Sequence, residues 1–277
     1  MTKHRISILC DNTVGPVIGT LGEHGFAALV EYPGGALLFD TGQGATLLAN
    51  AQRMNKDLHR VATVVLSHGH YDHTGGLLPL LRSCGSKRVL AHPELFAPRY
   101  RVKDTGDAIA IGIPYTEEYL LGQGARFDFS QGPRELDEGV LLTGEVPRLT
   151  EFETGDRGLY SDPAKKHADL LPDDQSLVIR GERGLTILLG CCHAGLVNTI
   201  EAARQLTEES EVYAVVGGTH LGFSTGDQLE QTIQALRRYR VRKICAGHCT
   251  SFAVAARLAH EFPGVFQPLA VGYCLEV

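Results

Sequence analysis

The stretch LSHGHYDHTGG, residues 66–76, crowds His68, His70, Asp72 and His73 together directly after the apolar run VATVVLS. A continuous apolar run of that length predicts a strand covered on both faces. Polar, nitrogen-bearing side chains at its exit must find partners there, because burying them unpaired is costly. Side chains alternate along extended backbone, so His68 and His70 fall on the same side and can reach one metal ion. Asp72 and His73 then turn toward a second ion as the chain bends into a helix at TGG. Imidazole and carboxylate donors together suit zinc, iron or manganese, with zinc the common choice. The competing reading, histidines of a surface loop, is weak because four donors share one spacing behind one buried strand.

The rest of the chain predicts what surrounds this motif. RISILC, FAALVEY and ALLFD read as short strands, the last two separated by the turn signal PGG, so the chain begins with a meander. QGATLLANAQRM and GGLLPLLRS have helical spacing, and KRVLAH closes this half. The pattern returns later in SLVIRG, a turn at ERG, LTILLG, a helix from Gly195, VYAVVGG, a helix around DQLEQTIQALRRY, and KICAGH. Two sheets each bearing helices, with chemistry at the strand ends, imply an α/β protein of the four-layer α/β/β/α kind. Residues from about 97 to 175 lack clear periodicity and are expected to be an irregular insertion that shapes a substrate pocket. Residues 1–277 are read as one domain containing it.

Composition excludes several functions. A chain of 277 residues with 43% hydrophobic and 21% charged residues can bury a full core. Its net charge of −6 and the absence of a Lys/Arg run disfavour nucleic acid, membrane surfaces and polyanionic substrates. No apolar stretch approaches the length needed to cross a bilayer, and no signal peptide is read at MTKHRISILCDN, so the cytoplasm is expected. Seven cysteines do not form an evident disulfide framework, and reduced thiols are expected.

The sequence HGHYDH resembles the H-x-H-x-D-H signature of the metallo-β-lactamase superfamily, whose element order also fits nearly the whole chain. The resemblance implies two divalent ions, zinc first, with manganese or iron as alternatives. His68 and His70 would bind one ion, and Asp72 and His73 the other. LLFDTG resembles the strand whose aspartate orients a ligand histidine, which gives Asp40 that role or else that of a turn residue. LTILLGCCHAG and KICAGHCTS deliver His193 and His248 from strand ends to the same cleft. His193 would complete the first donor set and His248 the second. Cys191 and Cys192 stand where relatives place a bridging carboxylate or a ligand cysteine, and they read first as buried structural thiols.

LCDNTV, LLTGEVPRLTEFE, PDDQSLVI, GCCHAGLVNTI, VVGGTHL and GHCTS resemble a narrower branch. It contains the methanopterin-pathway synthases that join a dihydropterin to a ribofuranosylaminobenzene phosphate, and related metal-dependent hydrolases. Ser251 departs from that branch, which tends to have glycine there. The resemblance implies a small substrate, phosphorylated or pterin-like, hydrolysed through a metal-bound hydroxide. The alternatives are a condensing transferase, and, outside catalysis, a metal-binding or iron redox protein. Asp72 or His220 is the candidate proton shuttle, with His220 and His92 both ending strands. Arg148 is expected to clamp an anion or else to be an ordinary surface residue, and Glu145, Asn12, Asn198 and His92 are candidate substrate contacts. His4, His24, His59, His167 and His260 read as surface histidines. Homodimerisation through an exposed edge is left open.

Overall fold

The computed structural model describes residues 4–277. Arg5–Cys10, Ala27–Tyr32 and Gly35–Phe39 form the expected antiparallel meander, with Pro33 and Gly34 turning the second strand into the third. Gly35–Phe39, Thr63–Val65, Lys87–Ala91 and Ala125–Phe129 then run parallel, and Cys274–Glu276 pairs with the outer side of Arg5–Cys10. The second sheet also has seven strands. Arg134–Asp137, Val140–Leu142, Leu177–Gly181 and Gly184–Leu189 are antiparallel neighbours in it. From Gly184–Leu189 onward, Val212–Gly218, Lys243–Gly247 and Phe266–Pro268 follow in parallel.

Alternation of side chains along these strands sorts the apolar residues into layers. Ile8, Leu37, Phe39 and Val65 of the first sheet meet Leu177, Ile179, Leu188 and Val216 of the second in one buried cluster. Their neighbours Leu9, Leu38 and Val64 point the other way, against Leu47, Leu77 and Leu80 of the helices Leu47–Arg53 and Leu77–Cys84. On the second sheet Ile187, Leu189 and Val215 pack against Ile200, Ile233 and Leu258 of Leu196–Thr207, Gly226–Arg238 and Phe252–Glu261. The result is the four-layer α/β/β/α arrangement.

The middle of the chain is more ordered than its sequence pattern implies. Ala125–Phe129 completes the first sheet, and Arg134–Asp137 and Val140–Leu142 begin the second, so this stretch carries the crossover between the two halves. A third sheet of Leu159–Tyr160, Tyr100–Val102 and Ala108–Ala110 stands apart. The reading of 97–175 as irregular is therefore corrected. Its strands are two to five residues long, and Ala108–Ala110 is exposed throughout, so no run was long enough to show a period.

Parallel strands share a direction, so their carboxyl ends lie along one edge of each sheet. Asp40 follows Phe39 in this way, His193 follows Leu189, and His248 follows Gly247. The same placement explains why ligand-bearing loops gather in one cleft.

Candidate metal centre

The cleft is built on loops whose backbone is not relaxed. Asp40, Cys192, His220 and His248 all adopt left-handed backbone, with φ of 58°, 64°, 52° and 51°. That conformation is uncommon for residues with a Cβ and costs of order 1–3 kcal/mol each. Each lies just past a strand end, where the chain must turn sharply to present a side chain to the cleft. The motif itself needs no such turn. His70 is extended and caps the single helical turn Tyr71–Thr74, which swings Asp72 and His73 inward.

Hydrogen bonds define which ring nitrogens face the cleft. Asp40 is fully buried and accepts from the Ser67 amide and hydroxyl and from His73 Nδ1, each at 2.7 Å. The Ser67 hydroxyl, having given its proton to Asp40, accepts from His68 Nδ1 at 2.8 Å. Both rings thus carry their proton on Nδ1 and turn the Nε2 lone pair inward. Asp40 accordingly orients His73 directly and His68 through Ser67. On the far side, Asn12 Oδ1 accepts from the Gly25 amide at 3.1 Å and from His248 Nδ1 at 3.0 Å. Asn12 Nδ2 donates to His24 Nδ1 at 3.2 Å, and His24 Nε2 stands 3.3 Å from Asp72 Oδ2.

Side chains able to hold an ion converge in several overlapping groups, His68–His73–Cys191, Cys191–His248–Cys249 and His24–Asp72–His248 among them, and the two expected sets lie within this cluster. In one, a nitrogen from each of His68, His70 and His193 lies within 4.8 Å of the others. In the other, Asp72 Oδ2 is 3.7 Å from His73 Nε2 and 3.4 Å from His248 Nε2, and the two ring nitrogens are 3.1 Å apart. Burial, helped by the neighbouring rings, pushes His68 and His193 well below the usual imidazole range, so they are neutral. Burial opposes the charge on Asp72, but His73 and His248 outweigh it and hold its carboxyl well below the usual range. Burial likewise opposes a charge on His248, yet Cys249 and Asp72 raise it to about 9. A proton on His248 Nε2, facing the His73 lone pair, thus stands where a cation is favoured. His70 Nε2 and both nitrogens of His193 are buried with no hydrogen-bond partner among the described residues. Orphaned imidazole nitrogens beside a carboxylate are what a divalent ion of the zinc, manganese or iron type would satisfy.

The two cysteines separate. Cys191 Sγ lies 3.1 Å from His73 Nε2 and 3.3 Å from His248 Nε2, which corrects the reading of it as a purely structural thiol. Cys192 packs into the core of the second sheet and contacts the Thr199 hydroxyl at 3.4 Å. His24, set aside as a surface residue, and Cys249, not singled out at all, both line the cleft. Neither had a local signal, because each meets its partners only through the folded sheets.

The donors open onto a cavity of about 260 Å³. Arg101, Ile109 and Leu159 of the third sheet form one wall, and Tyr71 and Phe223 flank it. His220 also lines it, its ring 4.0 Å from that of His193 and 4.7 Å from that of Phe223. Burial drives His220 down to about 4, so the ring is neutral at neutral pH and offers one N–H and one lone pair.

The other expected substrate contacts are placed elsewhere. Asn198 is fully buried, its amide oxygen accepting from the Leu149 and Thr150 amides and its nitrogen donating to Ala194. Arg148 donates to the Leu170 carbonyl at 2.8 Å and reaches the Glu153 and Ala194 carbonyls at 3.5 Å, tying loops together behind the cavity. Asn12 holds His248 and His24 in place, as above. His92 is buried and accepts from the Glu94 amide at 3.1 Å, capping the turn Pro93–Phe96. Glu145 is exposed, and none of these five residues lines the cavity. Asn198, Arg148 and His92 share one cause, a polar side chain in or beside a loop that satisfies backbone groups, while Asn12 is taken up by the rings of His248 and His24.

Comparison with known proteins agrees with this picture. The profile of the metallo-beta-lactamase superfamily matches residues 21–206. A 7,8-dihydropterin-6-methyl-4-(beta-D-ribofuranosyl)-aminobenzene-5'-phosphate synthase of Methanocaldococcus jannaschii is 30% identical, over 92% of this chain and 90% of its own. The crystal structure of a metal-dependent hydrolase of the beta-lactamase superfamily superimposes with a TM-score of 0.84 at 29% identity, covering 99% of both chains. Zinc-bound PqqB from Methylobacterium extorquens shares the fold, with a TM-score of 0.57 at 12% identity and 99% of this chain covered. With its motif, its four layers and its donor-lined cleft, the chain belongs to the metallo-β-lactamase superfamily.

Proposed function

We propose that the chain is a metal-dependent hydrolase of a small, phosphorylated or pterin-like molecule, using two divalent ions. Zinc is the first candidate, with manganese or iron next. The observation that carries this reading is that two groups of possible donors, His68–His70–His193 and Asp72–His73–His248, adjoin one cavity of about 260 Å³, which His70, His193, Asp72 and His248 line. Bound divalent ions acidify water and polarise an electrophilic oxygen, which supplies both halves of a hydrolysis. The residues of the chain do the rest. Asp40, Ser67 and Asn12 hold three of the rings in the tautomer that turns Nε2 inward. His220 stands at the cavity wall with a neutral ring able to donate or accept a proton, and Asp72 offers its carboxylate on the opposite side. Ile109 and Leu159 exclude water, while Tyr71 and Phe223 provide flat faces for a ring. Arg101 takes over the anion-binding role first assigned to Arg148, since it is the guanidinium that reaches this cavity.

A second reading, group transfer, is supported by the synthase relative, which this chain resembles over 92% of its length. The same cavity would then hold a second small substrate in place of water. The net charge of −6 and the size of the cavity speak against a polymeric nucleic acid. All seven cysteines are unpaired, which supports a reducing compartment such as the cytoplasm; among the described residues no helix is long and apolar enough to cross a membrane.

The test is elemental analysis of the purified protein, joined to turnover of phosphodiester, lactone, thioester and pterin-phosphate substrates. Two zinc or manganese ions per chain, lost in His68→Ala and His248→Ala variants together with hydrolysis, is the expected result. Undiminished metal content in both folded variants would overturn the donor assignment. Full metal content with condensation but no hydrolysis would favour the transferase.

A further inference from the structure

The five clustered imidazoles are not held alike. His68, His73 and His248 each anchor Nδ1 on a side chain, namely Ser67, Asp40 and Asn12. His70 and His193 have no such anchor. Among the described residues both nitrogens of His193 lack a hydrogen-bond partner, and the one nitrogen of His70 that has a neighbour faces His68 Nε2 at 2.9 Å. Metal-binding histidines ordinarily depend on an outer partner to fix the ring. Something else must place these two.

The loop before Leu177–Gly181 supplies a pair of carboxylates that do so at the backbone. Asp173 Oδ2 accepts from the amide of Gly69, the residue between His68 and His70, at 2.7 Å. Asp174 Oδ2 accepts from the amide of Ala194, the residue after His193, at 2.8 Å. Gln175 adds two bonds to the same strand end, from its side chain to the Leu66 carbonyl at 2.9 Å and from its amide to the Ser67 carbonyl at 3.0 Å. Asp173 and Asp174 are 0% and 2% exposed. Asp173 is further pinned by Arg99 Nη2 at 2.8 Å, itself paired with Asp169 at 2.7 Å. Two adjacent residues thus deliver one side-chain hydrogen bond to a peptide N–H in each of two loops from opposite sheets.

We infer that Asp173 and Asp174 are positioning residues for the first donor set. They grip the main chain beside His70 and His193 and bring the two unanchored rings into register with His68 before any ion arrives. The inference rests on reading His68, His70 and His193 as donors to one ion. The acidic pair touches neither the cavity nor the donor atoms, so it acts only through the loops. Steric fit reinforces the grip, because a methyl built at Gly69 would run into the Leu95 carbonyl and the chain there has little room to relax.

The experiment measures zinc affinity by competition with a chromophoric chelator. Loss of one zinc in His193→Ala first establishes the donor. Asp174→Ala is then expected to weaken that zinc by about 10- to 100-fold, the usual effect of losing an outer partner. Asp174→Asn keeps an oxygen for the Ala194 amide and should restore affinity to within a few-fold of the parent, whereas Asp174→Leu, which fills similar space without an acceptor, should bind zinc as weakly as Asp174→Ala, an outcome that a general packing role would not produce. Amide exchange on the metal-free parent protein gives a readout that needs no variant to fold. Gly69 and Ala194 are expected to be protected already. Zinc bound by Asp174→Ala as tightly as by the parent, or those two amides exchanging freely until zinc is added, would overturn the inference while leaving the donor set intact. A zinc content indifferent to His193→Ala would overturn the donor reading and the inference with it.

Discussion

His92 lies outside the donor sets, yet its neutral ring has a clear structural duty. It is 2% exposed, and its Nδ1 must keep a lone pair to accept from the Glu94 amide. Burial lowers its pKa below the ordinary 6.5. The unfolded chain therefore binds a proton that the folded chain resists, so the stability this group contributes is whole above pH 6.5 and is lost as pH falls below it. His92→Asn keeps an oxygen cap but cannot titrate. Denaturant unfolding at pH 7.5 and pH 5 should show the variant losing less stability on acidification than the parent. Equal losses would mean that His92 is protonated without harm to the fold. Single residues also show what local sequence can and cannot carry. His68, His70, Asp72 and His73 were legible because four donors sit within one strand exit. Asn12 was misread and His24 passed over because their chemistry depends on His248, 236 positions from Asn12.

At the scale of elements, strands set in a longer apolar run were legible, even the three-residue Thr63–Val65 within VATVVLS, and short strands without such a run were not. Gly184–Leu189 and Val212–Gly218 are buried along their whole length and announce themselves as apolar runs. Val140–Leu142 is equally buried but spans three residues, too few for any period, and its place in the second sheet comes from its partners. Joins between elements carry their own constraint. Gly76 caps the helix Leu77–Cys84 with ordinary negative φ, so its need for glycine is steric: a methyl there would run into the Thr41 carbonyl. The helix sits that close because Gly76 donates to Gly42 and Thr41 donates to His73, stitching the turn of Asp40 to the turn that carries Asp72 and His73. Gly76→Ala should lower the unfolding free energy by about 1–3 kcal/mol, as overpacking does. A denaturation midpoint unchanged from the parent would show that the turn can shift freely.

For the whole molecule, the cleft gathers costly features: imidazole nitrogens of His70 and His193 buried with no partner among the described residues, and left-handed backbone at four strand ends. Anything that binds only the folded state adds stability, about 4 kcal/mol when present at 1,000 times its Kd. Stripping metal with a chelator should therefore lower the thermal midpoint, and returning zinc should restore it. A midpoint indifferent to the chelator would mean that the fold does not depend on the ion. The four-layer architecture was legible in the order of elements, while the path between the sheets was not, since the crossing segments are individually unremarkable. One feature of that architecture bears on how the protein is made. Each donor set takes two members from the first sheet and one from the second: His68 and His70 with His193, Asp72 and His73 with His248. Neither half alone completes either of these two sets, although Cys191, His248 and Cys249 of the second half also converge on one another. Filling either proposed set with an ion would therefore need both sheets synthesised and docked, so capture at these sets would serve as a timestamp for the union of the two halves.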